Sequence, residues 1–149
     1  MRIKQKLYDQ CKQHLNNRLK VVQSTITDIQ NNLQSETKSS AGDKHETGRA
    51  MLQLEREKTG QQLAEIQKQF QILNKINPET KHNAIALGSV VYTTQFNYFV
   101  AISEGELKLD NEKFFAISPI TPIGKLLMAK KKNDIFKFRN QNISILEVI

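Results

Sequence analysis

Apolar residues recur along the first half of the chain with the spacing of a helical seam. From Leu15 they fall at Leu19, Val22, Ile26, Ile29 and Leu33, in steps of four, three, four, three and four. This is the alternation of a coiled coil, in which one narrow stripe faces a partner helix. The stripe extends backward through Cys11 to Leu7 or Tyr8, so a helix is predicted from about Ile3 to Glu36, roughly 50 Å long at 1.5 Å per residue. A rod of that length with one apolar seam is unstable alone in water. Its partner follows directly: Leu52, Thr59, Leu63, Ile66, Phe70 and Leu73 repeat the pattern in steps of seven, four, three, four and three, on a background of Glu, Gln, Lys and Arg. Two seams of similar length, joined by a short polar stretch, predict an antiparallel hairpin over residues 1–77 with its tip near 39–49. Gly48 and Gly60 weaken the second helix by about 1 kcal/mol each relative to Ala without breaking it. Asn77-Pro78 ends it, because proline disfavours helix at the preceding residue and lacks a donor of its own.

The pattern then changes. Residues 78–83 read as a linker, and residues 84–149 hold most of the Phe and Tyr and the β-branched runs. Ala84 to Thr93, Tyr98 to Ser103 and Lys113 to Ser118 are predicted strands, with turn-rich stretches at Glu104-Gly105-Glu106 and Asp110-Asn111-Glu112. A short helix is predicted from Ile123 to Ala129, with Thr121 as its cap and Pro122 at the first helical position. Lys130 to Asp134 turns the chain into a closing hairpin, Ile135 to Arg139 and Asn142 to Val148, turning at Asn140 and Gln141. The fold class is therefore α+β: a long antiparallel N-terminal coiled-coil hairpin, then a small antiparallel β-sheet domain with one short helix.

Charge adds a direction. The net charge of +7 comes from 22 Lys and Arg against 15 Asp and Glu. Up to residue 81 there are 14 basic and 9 acidic residues, so the helical part carries most of the excess. Arg2, Lys4, Lys6, Lys12, Arg18 and Lys20 face only Asp9 in the first twenty residues. Such a stripe favours an anionic partner, although an ordinary solvated helix face produces the same pattern. No apolar run approaches the length of a membrane span and no secretory leader is evident, which predicts a cytoplasmic protein without a membrane partner. The single cysteine, Cys11, excludes an intramolecular disulfide. Cys11 with His14 offers a nucleophile and base in principle, but a long helix supplies no pocket around them, and a small buried hydrophobe is the favoured reading.

The candidate chemistry lies at the tip. Asp43 and Glu46 follow Gly42 three residues apart, so in a helix starting at Gly42 or Asp43 both carboxylates project from one face of its first turn. The same pair matches a capping box, in which the acids serve helix stability alone. Two carboxylates by themselves bind Mg²⁺ poorly, since the ion releases water reluctantly and needs phosphate or further acids. His45 between them reads as surface. Lys130 to Lys132 reads first as a solvated turn, with contact to a partner protein or nucleic acid as the alternative. Phe96, Tyr98, Phe99, Phe114 and Phe115 are expected in the core, with one or two left for a docking patch.

Two separated stretches share a resemblance. Gly42-Asp43-Lys44-His45-Glu46 resembles the acidic tip of the GreA/GreB transcript cleavage factor family, where Asp and Glu spaced three apart follow a glycine at the end of a helical hairpin. Thr121-Pro122-Ile123-Gly124-Lys125-Leu126-Leu127, Lys130-Lys131-Lys132-Asn133-Asp134 and the terminal Ile145-Leu146-Glu147-Val148-Ile149 are similar to that family's C-terminal signature. The resemblance implies a coiled coil joined to an FKBP-like domain. It further implies a bacterial, DNA-binding transcription regulator that docks as a monomer on RNA polymerase, meeting nascent RNA or DNA in the elongation complex. In that family the hairpin enters the secondary channel, and Asp43 and Glu46 would be the catalytic, metal-directed pair. They would share Mg²⁺ with the polymerase active site and bind none alone, so the chain itself is expected not to be an enzyme but at most to stimulate the polymerase's own RNA cleavage. The family tip continues with Asn-Ala-Glu-Tyr or close to it, whereas Thr47-Gly48-Arg49-Ala50 stands here. A noncatalytic coiled-coil regulator or adaptor, binding polymerase or another protein without cleavage, is the alternative.

Overall fold

The computed structural model describes the backbone of residues 2–38 and 42–149 and the side chains of residues 3–35 and 46–149. Two long helices come first, α1 (Arg2–Lys38) and α2 (Gly42–Asn74). The remainder forms strands β1 (Val90–Thr93), β2 (Asn97–Val100), β3 (Gly105–Leu109) and β4 (Glu112–Ile117), helix α3 (Pro122–Leu127), and strands β5 (Ile135–Phe138) and β6 (Gln141–Val148). The chain divides into two compact units, Leu15–Gln69 and the combination of Met1–His14 with Phe70–Ile149. The division falls inside both long helices.

In the unit Leu15–Gln69 the seam is buried as the spacing predicts. Leu15, Val22 and Ile29 of α1 and Thr59 and Ile66 of α2 are buried, while Leu19, Ile26, Leu33, Leu52 and Leu63 are half-buried at its margins. Thr59 is tolerated on the seam because its hydroxyl donates to the Glu55 carbonyl of its own helix, 2.8 Å away. Two cross-ties fix the antiparallel direction: Arg18 donates to the Gln69 side chain, and Arg49 to the Leu33 carbonyl at 3.3 Å.

In the other unit six strands form one sheet in the order β3-β4-β2-β1-β6-β5. It is antiparallel as expected except where β2 runs parallel to β4. The crossover passes through β3, which occupies an edge and returns into β4 over a two-residue turn. That turn is Asp110-Asn111 with φ of 50° and 70°, the primed geometry that matches strand twist. Strand β3 lies across the stretch read as turns. Only Leu107 of its five residues is buried, so its alternation carries almost no apolar signal. The strand expected from Ala84 contracts to Val90–Thr93, because Gly88 at φ +94° breaks extended structure and Ala84 makes only an isolated bridge to Lys131. The closing hairpin turns at Arg139-Asn140, one residue earlier than expected, with φ of 51° and 64°.

The sheet is covered on both faces. Val91, Tyr98, Val100, Phe136, Ile143, Ile145 and Val148 cluster with Ile85 and with Leu127 of α3 on one side. By strand alternation Val90, Phe99, Phe114 and Leu107 occupy the other, and all four are buried. The ends of the long helices supply that cover: Leu7 and Cys11 of α1, and Leu73 and Ile76 at and beyond the end of α2, are buried. Gln10 donates to the Lys108 carbonyl of β3 at 2.8 Å.

Candidate functional site

Helix α2 begins at Gly42, which places Asp43 and Glu46 in its first turns, three residues apart on one face. The side chains of Asp43 and His45 lie outside the described residues, and Glu46 is exposed. The helix starts at Gly42, within one residue of Asp43, so the capping-box alternative stands beside the metal-directed one. First-turn acids still favour the helix through its dipole by about 0.3–1 kcal/mol each, so a structural role does not need the capping geometry. Arg49, one turn beyond Glu46, is half-buried and its guanidinium reaches the Leu33 carbonyl of α1. Among the described residues no group of three or more His, Cys, Asp or Glu could hold a metal ion.

A second feature is built by Thr93 at the end of β1. Its buried hydroxyl accepts from the Gln95 and Phe96 amides, at 3.1 and 3.0 Å, and donates to the Phe96 carbonyl. This tight turn holds the Phe96 ring 47 % exposed above the sheet. Phe96 meets Phe115 edge-on at 5.2 Å and Tyr98 at 6.5 Å, so the three rings support one another. Arg139 lies over the Phe138 ring at 5.0 Å and is close enough to Tyr98 to oppose the rise in its phenol pKa that burial causes. The result is an aromatic patch beside a cation. Of the five aromatic residues singled out from sequence, Phe99, Phe114 and Tyr98 are core, while Phe96 and the half-buried Phe115 form this patch.

The Lys-rich turn is internally organised. The Lys131 amide donates to the Asp134 carboxylate at 2.7 Å, Lys132 pairs with Glu147 at 3.3 Å, and Lys130 lies over the Phe136 ring at 5.8 Å. Thr121 caps α3 as expected, accepting from the Gly124 amide at 3.1 Å with Pro122 at the helix start. Cys11 is wholly buried, and burial together with the nearby Glu104 carboxylate pushes its thiol up to about 12. A thiol held protonated in this way is no nucleophile. His14, the imagined base, sits 3.9 Å from Glu104.

Sequence reasoning missed one buried polar cluster. Lys4 is 3 % exposed, and its ammonium donates to the Thr80 carbonyl and, at 2.9 Å, to Nδ1 of His82. Burial lowers the Lys4 pKa to about 8. The His82 pKa is lowered by burial and by Lys4, against a hydrogen bond to the Ile149 backbone that raises it. A signal for this cluster was present: Lys4 stands three residues before Leu7, on the apolar stripe that continues through Cys11.

No family model matches the chain, and no curated protein matches it. Among the described residues no helix is long and apolar enough to cross a membrane.

Proposed function

We propose that this chain is a GreA/GreB-like elongation factor that binds RNA polymerase, inserts its helical hairpin in the secondary channel, and stimulates Mg²⁺-dependent cleavage of backtracked RNA. The observation that carries the reading is the position of Asp43 and Glu46, three apart in the first turns of the second helix of an antiparallel hairpin. The C-terminal α+β module and the basic excess of the helical part support it. In this reading Asp43 and Glu46 would hold a Mg²⁺ ion together with groups of the polymerase and the RNA. The ion supplies Lewis-acid activation of water for hydrolysis of a phosphodiester. The chain's own residues position: the hairpin presents the acids, its basic residues Lys12, Arg18 and Lys20 favour the RNA backbone, and the Phe96–Phe115 patch docks on the polymerase. Backtracked elongation complexes test it. RNA shortening with the wild-type chain that disappears in Asp43→Asn/Glu46→Gln is the expected result, and absence of polymerase binding in a pulldown would remove the reading altogether.

A noncatalytic regulator is the second reading, favoured by Arg49. Its cationic side chain stands one turn from Glu46 where the family pattern places an acid, and it is half-buried against α1. Polymerase binding without RNA shortening, unaffected by the double substitution, would select it.

A further inference from the structure

Three hairpin turns share one end of the sheet, and the aromatic patch lies among them. Asn97 pairs with Phe114, so the turn from Thr94 to Phe96 lies beside the start of β4, which the Asp110-Asn111 turn precedes. On the other side Gln95 donates to the Gln141 side chain, tying the same turn to Arg139-Asn140. All of these residues belong to the sheet-bearing unit. Charge is spread unevenly along this end. Residues 84–103, which include β1 and β2, hold no Asp, Glu, Lys or Arg, and residues 135–146 of the β5–β6 hairpin hold Lys137 and Arg139 and no acid. The acids stand across the sheet, where Glu106 pairs with Lys113 at 3.3 Å and Asp110 and Glu112 accompany Lys108 and Lys113 at the β3–β4 turn.

By strand alternation Lys137 faces away from Phe138, so Arg139 is the cation next to the rings. Its guanidinium lies over the Phe138 ring, and among the described residues no carboxylate lies within ion-pair distance of it. A guanidinium offers five N–H donors in a planar fork that matches the two oxygens of a carboxylate. Phe96 is held by the Thr93 hydroxyl and by the Phe115 ring, so the apolar anchor and the cation are both ordered before a partner arrives, which limits the entropy lost on association. The acids at the β3–β4 turn repel a phosphate backbone laid across this end, and that favours a single carboxylate over a nucleic acid strand. We propose that the partner of this patch is a protein segment that sets an apolar side chain on Phe96 and presents a carboxylate to Arg139, which makes Arg139 the residue that reads the partner's charge. The inference rests on the elongation-factor reading, in which that segment belongs to RNA polymerase.

Titration of core RNA polymerase with the full chain tests it, with the residues of the hairpin tip unaltered. Arg139→Gln should weaken association at least about tenfold, because it leaves the partner's carboxylate without its cation. Arg139→Lys should weaken it by about three- to fivefold, since a point charge replaces the planar fork. Lys137→Gln removes the same charge from the other face and should change affinity by less than about threefold. Equal losses in Lys137→Gln and Arg139→Gln, or an Arg139→Gln protein that binds as the wild type does, overturns the proposal while the elongation-factor reading stands. Where Arg139→Gln does not fold, Arg139→Lys decides: the stated loss supports the proposal, and unchanged affinity overturns it. Saturable binding of a single-stranded RNA oligonucleotide that Phe96→Ser and Arg139→Gln both abolish would make the patch a base-stacking surface, and also overturns it. A wild-type chain that does not bind polymerase removes the elongation-factor reading and this inference together.

Discussion

At the scale of single residues, Gly124 shows how a short helix can be pinned by space rather than by propensity. A Cβ there would stand 2.2 Å from the Ser118 carbonyl oxygen and 3.0 Å from the Pro119 Cα, both backbone atoms that cannot swing aside. Gly124→Ala should therefore cost about 1–3 kcal/mol, in the range of core overpacking, despite the better helix propensity of alanine. Urea unfolding measures it, and an unchanged midpoint would show that the Ser118–Thr121 turn yields. Lys4 makes a prediction of opposite character. Its folded pKa, about 8, lies below the ordinary 10.5, so between those values the unfolded chain binds more protons and stability rises with pH. Cys11, whose thiol is pushed up from 9.0 to about 12, acts in the other direction above about pH 9, and Tyr92 and Tyr98, raised by burial, do so above about pH 10. A rise in stability between pH 8 and 9 that is absent in Lys4→Met is the expected comparison, and parallel curves for the two proteins would refute an ammonium buried without a counter-ion. The stripe Lys4, Leu7, Cys11 marked the face, but a lysine on a helical stripe is assigned to water unless its neighbours along the chain fix its depth, and here that depth is set by Thr80 and His82.

At the scale of elements, the coiled-coil seam was the most legible feature, since its repeat is local and each step of three or four residues returns to the same face. Ile66 tests its packing. Ile66 is 4 % exposed but borders a groove of about 490 Å³ between Val21, Val22 and Gln62, so the space left by truncation is open to solvent. Ile66→Ala should fall at the low end of the usual range, about 2 kcal/mol, whereas Leu54→Ala, 67 % exposed on the same helix, should stay within about 0.5 kcal/mol. Equal losses at the two positions would mean that the seam faces another way. The sheet was less legible. Strand β3 offers one buried residue in five and takes its place by pairing with β4, from Gly105↔Ala116 to Leu109↔Glu112. The closing turn at Arg139-Asn140 was misplaced by one residue because both Asn140-Gln141 and Arg139-Asn140 are acceptable locally, and only the pairing of Phe138 with Gln141 selects the latter.

At the scale of the whole molecule, the Phe96 patch is where stability and association separate. Phe96 is 47 % exposed in a turn held by Thr93, so Phe96→Ser should lower stability by about 1 kcal/mol or less. If the patch docks on polymerase, the same change should weaken association at least tenfold, as loss of an aromatic anchor does. Polymerase binding unchanged in Phe96→Ser would assign docking to another surface. This prediction is independent of the acids at the start of α2: loss of cleavage in Asp43→Asn/Glu46→Gln with binding intact would locate the chemistry there and the affinity elsewhere.

The chain's own pattern was sufficient for two long helices, their antiparallel pairing, the capped helix α3 and the closing hairpin, because each rests on residues within one or two turns or strands of one another. Three-dimensional folding alone decided the parallel neighbours β2 and β4, the edge position of β3, and the inclusion of both helix ends in the sheet-bearing unit. It also brought Lys4 against His82, seventy-eight positions away. Such long-range arrangements follow from which apolar faces can cover one another and which polar groups must then find partners, and no local period encodes that choice.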